Sequence, residues 1–314
     1  MSPIDGPGKP KVAILLCTHN GESFLQEQLD SYLQQTWTNW SLIASDDQSS
    51  DRTRAILAAC QQQWSPDRVQ LLTGPARGFA ENFMAVTRHA QGQADFYAWS
   101  DQDDIWCPAK LERALQWLQT VPRHIPAIYC SRTILVGPDN QDLGMSQLFS
   151  REPSFANALT QSIGGGNTMV FNQAACQLLA ETSMDTVVVA HDWWAYIIIT
   201  GCGGQVHYDP VPTVRYRQHQ DNLIGENTSW SARSARLRQI FNGRYRELNA
   251  LNIQALYQHQ HRLTGESINT LRLFAETRDG SLPTRLVQLK RSGVHRQTLI
   301  DNLGLVLATV LRKV

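Results

Sequence analysis

The chain has 314 residues, 42% hydrophobic and 18% charged, with a formal net charge of zero, an ordinary composition for a globular protein able to bury a sizeable core. No apolar run approaches the roughly 18 residues of a spanning helix, and the polar, Pro/Gly-rich stretch 1–10 reads as neither a signal nor a transit peptide. Six scattered cysteines without a C-x-x-C pair argue against a zinc knuckle, a redox dithiol and a disulfide framework, and for reduced thiols in the cytoplasm.

In chain order, Lys11 to Cys17 is a continuous apolar run, the pattern of a strand buried on both faces. Phe24, Leu25, Gln28, Leu29, Tyr32 and Leu33 then recur at helical spacing. A second strand is expected over 40–44, followed by Asp51 as an N-cap and a helix through Ile56, Leu57 and Cys60. A third strand covers 69–72, a helix 80–90, a fourth strand 96–99, a helix 108–118 with Pro108 in its first turn, and a fifth strand 127–135. Strands alternating with helices imply βαβ units, hence a Rossmann-like α/β fold with a mostly parallel sheet flanked by helices. Ligands of such sheets sit beyond the carboxyl ends of the strands.

Three polar clusters fall at those ends: Thr18-His19-Asn20-Gly21-Glu22, Ser45-Asp46-Asp47-Gln48-Ser49-Ser50-Asp51, and Ser100-Asp101-Gln102-Asp103-Asp104. Crowded carboxylates repel one another unless cations or hydrogen-bond donors compensate them. A hard divalent ion, Mg²⁺ or Mn²⁺, held by the Asp-x-Asp pair and bridging two phosphates is one solution, and a nucleoside diphosphate fits it. The bland alternative is helix capping, for example by Asp103 or Asp104 ahead of a helix starting near Ile105.

These motifs resemble family 2 glycosyltransferases over about 11–222. The match comprises Thr18-x-Asn20, the stretch from Asp46 to Thr53, and Asp101-x-Asp103-Asp104-x-Trp106 with Pro108, Lys110 and Leu111. Gly164-Gly165-Gly166-Asn167-Thr168, Ala190-His191-Asp192-Trp193-Trp194 and Tyr216-Arg217-Gln218-His219-x-x-Asn222 complete it. Within the family, the last two and Ser-Asp-Gln-Asp-Asp-Ile-Trp are most similar to bacterial rhamnosyltransferases of cell-surface polysaccharide synthesis. The resemblance implies a GT-A fold and an inverting, metal-dependent transfer. Thr18, Asn20 and Asp47 would contact base and ribose, joined at the nucleotide-sugar by Glu22, Ser100 and Asp101. Asp103 and His219 would hold the metal, and Asp192 would be the general base. Gly165, Gly166, Asn167, His191, Trp193 and Trp194 would face the acceptor. The implied donor is dTDP-rhamnose, with a UDP-sugar as the other option, and the implied acceptor is a saccharide or lipid-linked saccharide.

Some of this also follows from the residues. Asp192 stands between Val187-Val188-Val189-Ala190 and an apolar helix, where a carboxylate should have a raised pKa suited to a base; a helix N-cap is its alternative. Of Trp193 and Trp194, one is expected in the core and one against a sugar. Gly164 to Gly166 permit positive φ and close approach of a ligand. Arg215 and Arg217 alternate along a predicted strand and could face the diphosphate, with a solvated face as the alternative for one of them. A haloacid-dehalogenase-like phosphohydrolase reading of Asp101-x-Asp103 fits poorly, since four strands precede the motif. An inactive nucleotide-sugar-binding module would lack Asp103 or Asp192, and both are present.

The charges are split along the chain. From Trp230 onward 14 Lys/Arg face 5 Asp/Glu, while before it 14 face 23. This marks an acidic working domain, 1–229, and a basic helical region, 230–314. Near the end, Leu299, Ile300, Leu303, Val306, Leu307, Val310 and Leu311 form one helical stripe. Such a stripe usually packs on its own domain, but the basic charge beside it points to peripheral attachment at the inner, anionic face of the cell membrane. Nucleic acid is not an expected partner.

Overall fold

The computed structural model describes residues 9–64, 67–219 and 243–314. The boundary expected at 229/230 and Asn222 of the last motif lie outside the described residues. The first half follows the expected alternation: β1 (Val12–Thr18), α1 (Leu25–Leu33), β2 (Trp40–Asp46), α2 (Thr53–Trp64), β3 (Val69–Thr73), α3 (Phe79–Ala90) and β4 (Phe96–Ser100). Then come β5 (Ile105–Trp106), α4 (Lys110–Leu118), β6 (Ala127–Val136), β7 (Asp142–Met145), α5 (Phe155–Ala158), β8 (Val170–Asn172), α6 (Gln173–Ala180), α7 (His191–Gly201) and β9 (Gln205–Arg217). Numbered over the described residues, the remaining helices are α8 (Arg244–Gln258), α9 (Gly265–Glu276), α10 (Leu282–Ser292) and α11 (Leu299–Val310).

The sheet runs β3-β2-β1-β4-β8-β6-β9-β5, with β7 paired to β6. β1 pairs in parallel with both β2 and β4, so the chain winds one way to β3 and then returns to the other side of β1. This reversal opens a crevice between the carboxyl ends of β1 and β4, where the expected clusters lie. Beyond β4 the sheet becomes mixed: β8 inserts antiparallel between β4 and β6, while β6 and β9 are parallel.

All seven residues of β1 are buried, and their alternation feeds two cores. Ala13, Leu15 and Cys17 join one cluster; Val12, Ile14 and Leu16 join the other, as period-2 geometry requires of a strand covered on both faces. The C-terminal helices extend the first cluster. Ile253 and Leu256 of α8, Phe274 of α9, Leu289 of α10 and Leu305 and Ala308 of α11 pack with Phe155 and Ile197–Ile199. All six cysteines are free thiols. Among the described residues no helix is long and apolar enough to cross a membrane.

Candidate active site

The crevice at the β1/β4 reversal opens into a cleft of about 1860 Å³. Its rim is a set of loops stitched to one another. Between the loops after β1 and β2, Ser50 N–H donates to Asn20 Oδ1 at 2.8 Å, Gly21 N–H to Thr53 Oγ1 at 2.8 Å and Glu22 N–H to Asp51 Oδ2 at 3.0 Å. The Gln102 amide pairs with both backbone groups of His19, at 2.8 and 3.0 Å, tying the loop after β4 to the same rim.

The two adjacent carboxylates after β2 serve different partners. Asp46 accepts from Thr18 Oγ1, Ser49 and Arg54; burial opposes its ionisation, but these bonds hold its carboxyl below the usual range. Asp47 faces the cleft and accepts from the backbone N–H of Ala76 (2.5 Å) and Gly78 (3.2 Å). Thr18, Asn20 and Asp47 all line the cleft.

At the tip of β4, Asp101 and Asp103 line the cleft and Asp104 is fully buried behind them. Asp103 Oδ2 lies 2.8 Å from His219 Nε2, the pair expected to hold a metal. Burial, then the neighbouring charges of Asp104, Asp103 and Asp192, push the Asp101 carboxyl well above the usual range. Asp104 accepts from Asn167 Nδ2 at 2.6 Å and from the Arg217 N–H at 3.1 Å, and burial raises its pKa to about 7. Neither Asp103 nor Asp104 caps α4, whose N-cap is Ala109. Part of the compensation that carboxylate crowding demands is built in. Lys110 is fully buried, donates to the Asn167 carbonyl at 2.8 Å and lies 4.5 Å over the Trp106 ring; burial lowers its pKa to about 7. Among the described residues no group of three or more His, Cys, Asp or Glu side chains is arranged to hold a metal ion. Asp103 and His219 would hold an ion here only as a two-ligand site, with its remaining positions left to phosphate and water oxygens.

Asp192, which also lines the cleft, is the second residue of α7, whose N-cap is Ala190. Its Oδ1 accepts from Trp193 N–H at 2.7 Å. Burial nevertheless raises the carboxyl to about 6, which keeps it ionised at neutral pH and basic enough to accept a proton. His191 stacks on Phe83 at 3.9 Å between ring centroids and meets Trp99 edge-on at 4.8 Å. Neither of its ring nitrogens has a hydrogen-bond partner, and burial lowers its pKa to about 3, so the ring is neutral. Trp193, Gly165, Gly166 and Asn167 line the cleft beside it.

Four expected ligand contacts are corrected. Ser100 is buried beneath the cleft, hydrogen-bonded to Tyr32 Oη at 2.6 Å. Glu22 turns outward to Arg52, at 2.9 Å to its backbone N–H and 3.2 Å to Nε. Trp194 is core, with its indole N–H on Thr182 Oγ1. Arg217 is fully buried: its guanidinium donates to the carbonyls of Asp103 and Pro138 and to Asn140 and Glu27, and packs 4.4 Å from the Phe24 ring. It braces the acidic tip from behind instead of facing a diphosphate. Arg215 is also spent elsewhere, on Asp142 at 2.6 Å. None of Gly164 to Gly166 has positive φ. They are required by space, since a Cβ on Gly166 would lie 2.1 Å from His191 Nε2 and one on Gly164 2.8 Å from Cys130 Cβ. Cleft residues not anticipated include Arg132, Tyr245 and Arg296. The last two come from the C-terminal region, where no motif signals them.

A sheet that is parallel through β3-β2-β1-β4 and mixed beyond, with an acidic crevice at its reversal point, is the GT-A fold of glycosyltransferases. The mannosyltransferase PcManGT of Pyrobaculum calidifontis, solved with GDP-Man and Mn²⁺, superposes with a TM-score of 0.50 at 16% identity, covering 98% of this chain and 86% of that one. The chain belongs to glycosyl transferase family 2, whose model matches residues 13–175. The dTDP-rhamnosyl transferase RfbG of Shigella flexneri is 27% identical over 242 residues, 74% of this chain and 81% of that protein. The UDP-Glc:alpha-D-GlcNAc-diphosphoundecaprenol beta-1,3-glucosyltransferase WfgD of Escherichia coli is 35% identical over 108 residues, 34% of this chain and 40% of its own length.

Proposed function

We propose that this chain transfers rhamnose, with inversion, from dTDP-rhamnose to a hydroxyl of a cell-surface saccharide or of its lipid-linked precursor. The observation that carries this reading is that Asp192, with its carboxyl raised by burial, lines the same cleft as Asp47, Asp101 and Asp103. A nucleotide held at the β1/β4 end therefore has a base available in the same cleft. The relative named as a dTDP-rhamnosyl transferase, which matches over most of both chains, supports the choice of donor.

In the reaction, the acceptor oxygen forms its bond to the anomeric carbon as the bond from that carbon to the diphosphate breaks. Asp192 takes the hydroxyl proton, and the nucleoside diphosphate leaves with the bonding pair. Asp103 and His219 would hold a divalent ion, which supplies positive charge to the leaving diphosphate. Asp47 anchors the 76–78 turn beside the nucleotide. Trp193, fixed by its indole N–H on the Ala158 carbonyl at 2.7 Å, offers a ring for the apolar face of a sugar. Buried Lys110 and Arg217 lower the cost of keeping several carboxylates around one anionic donor.

The test is a panel of dTDP-rhamnose, UDP-glucose and GDP-mannose with Mn²⁺, read by thermal shift and nucleotide release. The rhamnose donor should both stabilise the protein and turn over. Turnover of UDP-glucose with none of the rhamnose donor overturns the donor assignment, and stabilisation by no nucleotide sugar overturns the site.

A further inference from the structure

Helix α11 is apolar on two opposite sides. Leu305, Ala308 and Thr309 form its buried side. Leu299, Ile300, Leu303, Val306, Leu307 and Val310 are 84, 73, 70, 43, 44 and 38% exposed. At about 100° per residue these six fall within an arc of about 120°, centred opposite the buried three. A stripe of this kind is a contact surface whose partner lies outside the described residues, because single exposed apolar residues are common but contiguous ones are not.

The surroundings indicate which partner. Residues 281–314 hold six Lys/Arg and one Asp/Glu. The one acid, Asp301, is half-buried and lines the cleft. Lys290 and Arg291 at the end of α10, and Arg312 just past α11, are exposed. An apolar stripe with no acid on it, in a segment that holds six cations to one acid, matches an anionic bilayer surface: the apolar side chains enter the acyl boundary and the cations meet the headgroups. The same helix also forms one wall of the cleft through Ile300, Gly304 and Ala308, and Arg296 just before it lines the cleft as well.

We infer that α11 docks the protein on an anionic membrane by its outward stripe, setting the acceptor end of the cleft at the bilayer surface. An acceptor whose saccharide is anchored to a lipid by a phosphate group would then reach Asp192 without leaving the membrane. That last consequence rests on the transfer reading of the cleft; the docking itself does not.

The experiment uses the full chain. Deleting α11 would also remove Leu305 and Ala308 from the core, so substitution is the cleaner probe. Leu299→Ser, Leu303→Ser and Leu307→Ser are combined, none of them lining the cleft. Vesicles of phosphatidylglycerol and phosphatidylcholine are sedimented with each protein at low salt. The intact protein should bind and be released by salt, and the triple variant should bind at least about tenfold more weakly, with an unchanged melting temperature. Both should show the same thermal shift with dTDP and Mn²⁺, which reads the cleft independently. Failure of the intact protein to bind, or equal binding by the variant, overturns the docking. A dimer of the intact protein that the variant converts to monomer assigns the stripe to a second copy and also overturns it. Normal vesicle binding with no nucleotide-induced shift leaves docking intact and overturns the transfer reading instead.

Discussion

Asn167 donates its side-chain amide to Asp104 at 2.6 Å, joining the loop after β4 to the glycine-rich loop 63 residues later. Lys110 closes the same unit by donating to the Asn167 backbone carbonyl. The acidic tip and the glycine-rich loop, both at the cleft, are therefore positioned by one buried cluster.

Asn167→Ala leaves a buried Asp104 oxygen without its donor. Urea unfolding should show a loss of about 1–3 kcal/mol, and Asp104→Asn combined with Asn167→Ala should lose less than the two single changes added. Strict additivity would mean that the two residues act independently.

For Asp192→Asn, kcat should fall by about 10²–10⁴ while nucleotide binding is retained. In the parent enzyme, kcat/KM should rise with pH and level off above about 6, where Asp192 is ionised. The sign for stability is opposite. The folded pKa lies above the unfolded one, so this group's contribution is present below about pH 4 and lost as pH rises through about 6. At pH 8 the Asn variant should therefore unfold at higher denaturant, by up to about 2 kcal/mol. Near-normal turnover would remove Asp192 from the mechanism.

Asp103→Ala should abolish transfer while leaving the fold intact, and excess chelator should do the same to the parent enzyme. The Asp103–His219 contact predicts that His219→Ala raises the metal concentration needed for half-maximal activity. Full activity in chelator would rule out the ion.

Gly166→Ala should cost about 1–3 kcal/mol through overpacking, because the new methyl group would lie 2.1 Å from His191 Nε2. Adding His191→Ala should recover part of that loss in a thermal melt. If the second change makes matters worse, the glycine answers to something other than the imidazole.

Arg217→Met should destabilise by at least about 2 kcal/mol, since Glu27 and the Asp103 carbonyl lose their donor, yet Kd for dTDP should stay within about threefold in whatever fraction is folded. A selective loss of nucleotide affinity would put Arg217 back at the diphosphate.

The parallel half of the sheet was legible because β1, β2 and β4 each carry a mostly buried, mostly apolar run ending in polar residues. The acidic end of the cleft followed from it, since three such ends must meet at a reversal. What escaped was set by partners distant in sequence. Ile105 and Trp106 resemble a helix start, but they form a short strand because Arg215 and Val214 lie alongside. Val170–Asn172 is too short to read as a strand, and only the open edges of β4 and β6 make it one. Arg217 has the chemistry of a phosphate ligand, and nothing local reveals that its side chain is enclosed by Glu27, Asn140 and Phe24. The contribution of Tyr245 and Arg296 to the cleft carries no motif, because it depends on how the last helices pack.

The pairing of β5 with β9 has a consequence for how the molecule is made. The tip at 101–104 gains its last contacts when Val214 to Arg217 lie beside it, so a growing chain extends over a hundred residues further before that loop is fully held. Long-range strand pairing is intrinsically slow. The β3-β2-β1-β4 half can assemble early during synthesis, while the nucleotide pocket should mature last. In refolding, recovery of nucleotide binding is accordingly expected to lag behind recovery of the far-ultraviolet circular dichroism signal.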